Sequence, residues 1–150
     1  MNAVIQRVTS AKVEIDNIVH GQIQNGLMVL LGVAKDDTES DVQWLAKKIV
    51  GIRIFSDDEG KMNKALSDID GNILLISQFT LQASTKKGNR PSYLNAADPS
   101  IAVPLYKNMI DELQKLIGKK IETGEFGADM QVSLLNDGPV TIIIDTKDKK

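Results

Sequence analysis

The chain has 150 residues and no cysteine, which excludes a disulfide framework, a thiol nucleophile and a thiolate metal site. A formal net charge of −2, with 42% hydrophobic and 25% charged residues, describes a globular domain long enough to bury a core and excludes a protein that grips nucleic acid by bulk positive charge. The single histidine, His20, removes the Ser-His and Cys-His catalytic pairs unless that residue alone serves them.

The start, Met1-Asn2-Ala3-Val4-Ile5-Gln6-Arg7, lacks the basic and then apolar layout of a signal peptide. No apolar run approaches the ~20 residues that a membrane span needs. A cytoplasmic protein with no membrane partner is therefore expected. Residues 3–15 read as a long strand, Asp16-Asn17 as a turn, and residues 18–24 as a second strand that pairs back. Gly26 opens a third strand running to Ala34, apolar on both faces and so central. His20 sits at a polar strand position with no partner nearby in sequence and reads as an ordinary exposed residue. From Thr38 the apolar period changes to three and four, with Val42, Leu45, Ala46, Ile49 and Val50 on one face, which predicts an amphipathic helix capped by Thr38 or Ser40. Trp44 flanks that stripe as a packing residue. Gly51 ends the helix, and residues 52–55 read as a short strand before the acidic turn Asp57-Asp58-Glu59-Gly60, whose spacing is not that of a calcium loop.

The run Ile73-Leu74-Leu75-Ile76 predicts a buried strand that continues into Ser77-Gln78-Phe79-Thr80-Leu81, presenting polar, aromatic and hydroxyl side chains at its rim. A polar loop follows, with Lys86, Lys87 and Arg90, and then a helical region from Pro91 or Ser92 that is interrupted at Asp98-Pro99. It resumes through Pro104 with Leu105, Met109, Ile110, Leu113, Leu116 and Ile117 on its apolar face, and Gly118 ends it. Near the end, strand-like residues 130–135 and 140–144 flank Asn136-Asp137-Gly138-Pro139, whose chemistry predicts a hairpin turn. The sequence alone favours a trans bond before Pro139, since only about one X–Pro bond in twenty is cis in folded proteins. The basic clusters, including the tail Lys147, Lys149 and Lys150, are balanced by acidic runs and read as solvated faces. Strands, helix, strands, helix, strands predict one α+β domain over residues 1–150 with a mainly antiparallel sheet and two principal helices. No Gly-rich phosphate loop follows a strand, so nucleotide-dependent chemistry has no support, and no cofactor and no metal are assigned.

Two of these stretches carry a resemblance when taken together. Ser77-Gln78-Phe79-Thr80-Leu81 with Asn136-Asp137-Gly138-Pro139-Val140-Thr141 resembles the signature pair of the D-aminoacyl-tRNA deacylases, also called D-tyrosyl-tRNA deacylases. The similarity extends from residues 3–8 to Phe126-Gly127-Ala128-Asp129-Met130. It implies a sheet closed into a barrel-like form, a homodimer with active sites at the subunit interface, and hydrolysis of D-aminoacyl-tRNA to free amino acid and tRNA. By the same resemblance, Ser77, Gln78, Phe79 and Thr80 form the catalytic pocket, with the Phe79 backbone at the oxyanion. Gly138 and Pro139 form a cis-proline element that enters the partner subunit's site and rejects L-side chains. Arg7 orients that element, Met130 lines the pocket wall, and Asn136 and Thr141 steady the turn. Asn2 departs from relatives that often carry a basic residue there, which removes one phosphate contact.

The residues themselves leave alternatives open. An aminoacyl ester is already activated and a neighbouring ribose hydroxyl can assist its hydrolysis, so positioning and oxyanion stabilisation are what a protein needs to supply. Thr80 is an alternative nucleophile, although no base can be named for it and an unassisted hydroxyl is weak. Lys86, Lys87 and Arg90 are the candidate contacts to RNA phosphates. A non-catalytic nucleic-acid or protein-binding module and a general esterase using Thr80 are the competing functions.

Overall fold

The computed structural model describes residues 1–149, so Lys150 of the basic tail lies outside the described residues. The hub of the fold is β1 (Asn2–Ile15). It pairs antiparallel with β2 (Ile18–Ile23) through residues 11–15, with β3 (Gly26–Gly32) through residues 2–8, and with β8 (Gln131–Asp145) along most of its length. Asp16 and Asn17 make the tight connection to β2, both at positive φ, where Asn and Asp are tolerated best among residues with a side chain. Beyond β3 the pairing becomes parallel, to β6 (Asn72–Ser77) and then to β7 (Glu122–Thr123). The sheet is thus mixed: its larger, antiparallel part around β1 is as expected, and the parallel pairings of β3, β6 and β7 are the addition. Its far edges curl toward each other, and the exposed His20 on β2 reaches β7, donating from Nδ1 to the Thr123 carbonyl at 2.9 Å. The result is a nearly closed, barrel-like sheet.

Both faces of the sheet are covered at β3 and β6, which explains the continuous apolar runs of those two strands. Alternate side chains point to opposite faces. Leu27, Val29 and Leu31 of β3 and Ile73 and Leu75 of β6 pack under α1 (Glu39–Gly51) and α2 (Pro99–Ile117). Met28, Leu74 and Ile76 instead form a second core inside the curl, with Val8, Ala11 and Val13. In β1 the side chains change face within the strand: Ala3 and Ile5 face the helices, whereas Ala11 and Val13 face the inner core. A one-residue bulge at Thr9, between the pairs Val8–Asn136 and Ser10–Leu135, accounts for the switch.

α1 begins at the N-cap Thr38, whose N–H donates to the Asp41 carboxylate at 2.9 Å. Burial alone would raise the Asp41 carboxyl, but hydrogen bonds from the Thr38 backbone, Thr146 and Lys147 outweigh it and hold it at about 2. Trp44 is partly buried against the core, with Lys48 and Lys149 over its ring. The buried Met1 ammonium donates to Asp37 at 2.7 Å and Thr146 at 2.8 Å, fastening the two ends of the chain together. No helix is long and apolar enough to cross a membrane.

Four local expectations are corrected. The strand expected over residues 52–55 starts only at Phe55, as β4 (Phe55–Ser56) pairing with β5 (Met62–Lys64). The helix expected from Pro91 or Ser92 starts at Pro99. Residues 92–97 run as a strap whose backbone groups bond instead to Ser84, Lys35 and Val33. The strand end expected through Leu81 stops at Ser77, and Phe79–Gln82 forms a 3₁₀ turn. Finally, no hairpin forms at Asn136-Asp137-Gly138-Pro139. β8 runs straight through, because β1 offers one continuous edge that takes both halves.

Candidate active site

Parallel strands β3 and β6 end side by side, and a cavity of about 260 Å³ opens beyond their last residues. Leu31 and Val33 supply one wall, Ile76 and Ser77 the next, and Ala102 and Tyr106 of α2 the floor. Gln78 leaves β6 with its N–H still bonded to the Leu31 carbonyl at 2.7 Å, and the 3₁₀ turn then folds over β3. Gly32 makes that possible: a Cβ there would lie 2.9 Å from the Leu81 Cβ and 3.0 Å from the Gln78 carbonyl oxygen. Gln82 completes the anchor, its Nε2 donating to the Gly32 carbonyl at 3.2 Å. As the first residue of the turn, Phe79 has no intrahelical acceptor for its N–H, and no other backbone acceptor among the described residues takes it.

Ser77, Gln78, Phe79 and Met130 line this one cavity. Thr80 does not; its hydroxyl accepts a hydrogen bond from the Gln78 side chain and so holds that amide in place. Tyr106 is the one titratable side chain among the described residues of the wall. Its hydroxyl donates to the Leu75 carbonyl at 3.0 Å, and burial pushes its pKa up to about 12, so it stays neutral. Among the described residues no three His, Cys, Asp or Glu side chains converge as metal ligands would.

Gly138, Pro139, Arg7, Asn136 and Thr141 form a separate constellation, none of it in the cavity wall. Between the pairs Gln6–Thr141 and Val8–Asn136, four residues of β8, Asp137 to Val140, stand opposite Arg7 alone. This excursion is clasped from both sides. The Asn136 side chain accepts from the Val140 N–H at 2.8 Å and donates to the Thr141 hydroxyl at 3.2 Å. Arg7 donates from Nε to the Asp137 carbonyl at 2.8 Å and from Nη1 to the Ile54 carbonyl at 2.7 Å, and the Asp137 carboxylate lies 3.4 Å from Nε. The Gly138–Pro139 bond is cis. At Gly138 φ is +143°, and a Cβ would stand 2.9 Å from the Val140 nitrogen, so a side chain there is excluded. Both residues are exposed.

The cavity and the excursion share a strand, since Val132 of β8 lies at the cavity wall. Six residues at 3.3 Å each put Gly138 on the order of 20 Å from Val132 along the same chain. Lys86, Lys87 and Arg90 gather instead around a neighbouring concavity with Ser84, Ser92, Leu94 and Asn95. None of the three is in an ion pair with a described residue.

Sequence reading missed Tyr106 and gave no role to Phe126 or Asp137. Tyr106 stands three residues before Met109, a spacing that marked it as part of the buried face of α2. Phe126, 5.8 Å from Tyr106 between ring centroids, lies in a stretch noted for its similarity without a role. The Asp137 carbonyl, Arg7's closest acceptor in the excursion, has no sequence signature.

Comparison with known proteins agrees with the two motifs. Residues 4–145 match the model of the family described as D-Tyr-tRNA(Tyr) deacylase. A D-aminoacyl-tRNA deacylase of Bacteroides fragilis (strain YCH46) is 57% identical over 150 residues, covering all of both chains. Among solved structures, one titled c-Myc DNA Unwinding Element Binding Protein superposes with a TM-score of 0.91 at 39% identity, covering 97% of this chain and 98% of that one. Another, titled as a probable eukaryotic D-amino acid tRNA deacylase, shares the fold at a TM-score of 0.82 and 15% identity, over 95% and 97% of the two chains.

Proposed function

The chain belongs to the D-Tyr-tRNA(Tyr) deacylase family, and from that premise we propose that its cavity hydrolyses the ester of D-aminoacyl-tRNA by positioning and oxyanion stabilisation, without a protein base. It is a hydrolase of aminoacyl-tRNA, acting as a chiral check on translation in the cytoplasm. The observation that carries the mechanism is the wall of the cavity. Ser77, Gln78 and Phe79, whose N–H has no acceptor among the described residues, stand with apolar side chains, with no carboxylate, imidazole or amine in the wall and with Tyr106 held neutral. Such a site can orient an activated ester and bind a developing oxyanion, but it cannot take a proton.

The terminal adenosine ester enters the cavity, and a water attacks the carbonyl carbon with help from the neighbouring ribose hydroxyl. The Phe79 N–H stabilises the oxyanion, and collapse releases the amino acid and leaves the hydroxyl on the ribose. The Thr80 position argues against an acyl-threonine, because its hydroxyl lies outside the wall and is engaged by Gln78.

Handedness is read by exclusion. The Gly138–Pro139 excursion, on the order of 20 Å from the cavity of its own chain, enters the site of a second copy. Arg7, Asn136 and Thr141 hold it rigid there, and its carbonyls leave room at the substrate α-carbon for hydrogen only. Glycyl-tRNA is therefore a substrate as well. Lys86, Lys87 and Arg90 contact the RNA phosphates.

The test uses three esters and one readout, the ester remaining over time. D-tyrosyl-tRNA should be cleaved, L-tyrosyl-tRNA spared, and a simple p-nitrophenyl ester left intact. Cleavage of the simple ester, lost in Thr80→Ala, would mean a threonine esterase. Survival of all three would mean a binding module.

A further inference from the structure

Beyond the cavity, the 3₁₀ turn and the strap over residues 92–97 leave a group of large apolar side chains in solvent. Phe79 is 55% exposed, Tyr93 39% and Leu94 79%. Phe79 and Tyr93 meet edge to face, with centroids 5.1 Å apart and planes at 69°. The pair is on firm ground. Ser84 and Ser92 exchange two backbone hydrogen bonds at 2.8 and 2.9 Å beneath Tyr93, and the Ala97 N–H fixes the far end of the strap to the Val33 carbonyl at 3.0 Å. Its neighbours are distinctive. Phe79 borders the cavity, whereas Leu94 borders the concavity that holds Lys86, Lys87 and Arg90. Between Asp70 and Asp98 the sequence has no acidic residue, although the whole chain carries a net charge of −2.

An aromatic surface between an ester-sized cavity and a patch of cations without ion-pair partners among the described residues has the composition of a single-stranded RNA path. Bases stack on aromatic rings with little regard to sequence, and cations follow the phosphates. We propose that Tyr93, set against Phe79 and beside Leu94, stacks the base of the nucleotide immediately upstream of the terminal adenosine, while Lys86, Lys87 and Arg90 hold the phosphates on either side. This rests on the reading of the cavity as the site of the aminoacyl ester. The platform makes the enzyme's preference for RNA over a free nucleoside ester depend on one side chain. It also leaves the choice of amino acid to the cavity, since the upstream base is the same whatever the ester carries.

The experiment compares kcat/KM for D-tyrosyl-adenosine and for a D-tyrosylated oligonucleotide ending in CCA, in the wild type, Tyr93→Ala and Tyr93→Phe. The wild type should favour the oligonucleotide. Tyr93→Ala should shrink that preference by about tenfold, and Tyr93→Phe should keep it. In parallel, fluorescence anisotropy with the uncharged CCA oligonucleotide reports the platform without any ester. Its affinity should fall by a similar factor in Tyr93→Ala and hold in Tyr93→Phe. Failure to cleave any D-aminoacyl ester while the oligonucleotide still binds through Tyr93 would overturn the hydrolase reading and keep the platform. Equal losses on the two esters, or unchanged oligonucleotide affinity in Tyr93→Ala, would overturn the platform. So would a halved solution mass in Tyr93→Ala, which would make this face a contact between protein copies.

Discussion

Arg7 illustrates what a single residue contributes. Its side chain is 11% exposed, and its donors run to carbonyls on two different segments, Ile54 and Asp137. Removing it would unpair those carbonyls, a loss of about 1–3 kcal/mol at a buried group and less here, where Asp137 is exposed. The sharper consequence is functional. On the proposed cross-subunit mechanism, the Gly138–Pro139 excursion would be left to the Asn136 clasp alone, and a steric filter about 1 Å out of place would discriminate less. Arg7→Ala should therefore raise cleavage of L-tyrosyl-tRNA by about tenfold or more, while cleavage of D-tyrosyl-tRNA changes less. Arg7→Lys should not restore selectivity, since an ammonium lacks the planar fork that reaches two carbonyls. Equal losses on both esters would mean that Arg7 merely supports the fold. Arg7 entered the sequence reading only through the family resemblance. Its partners there are backbone oxygens, and a backbone oxygen looks the same at every position of a sequence.

At the scale of the element, β8 was the least legible part of the chain. Asn136-Asp137-Gly138-Pro139 has all the local chemistry of a reversal, yet the chain does not reverse, because turn residues specify a local bend and not where the next strand goes. The two halves find partners on one strand, β1, and the four-residue excursion absorbs the bend. Among the described residues β8 pairs with β1 alone, so its outer edge is open on both sides of the excursion, with Leu135 63% and Ile143 73% exposed beside it. A long apolar edge is a template for association, and a specific partner is how a native protein covers it. We therefore expect light scattering to give twice the 16.4 kDa of the chain. Leu135→Lys should shift the mass toward the monomer and lower D-tyrosyl-tRNA cleavage with it. A monomer that remains fully active and selective at every concentration would contradict the cross-subunit filter.

In the molecule as a whole, the periodic elements were readable and their arrangement was not. The apolar runs of β3 and β6 identified two strands buried on both faces, and the three-and-four spacing found α1 and the body of α2. β3, α1 and β6 form a crossover that makes β3 and β6 parallel, but the intervening segment with β4, β5 and a short 3₁₀ turn obscured it. The curl that brings β2 against β7 depends on contacts about 100 residues apart in sequence, and no window of residues encodes it. That arrangement puts the cavity at the ends of two parallel strands and the excursion far from it. The central proposal is a site that accepts D-aminoacyl esters by refusing L-side chains and not by gripping D-side chains. It is tested most directly by single-turnover cleavage of D-alanyl-, glycyl- and L-alanyl-tRNA. A filter that only excludes should cleave the glycyl ester within roughly tenfold of the D-alanyl ester, a difference of about 1.4 kcal/mol, and leave the L-alanyl ester nearly untouched. If the glycyl ester resists as strongly as the L-alanyl ester, the D-side chain is being positively bound and the exclusion account is contradicted.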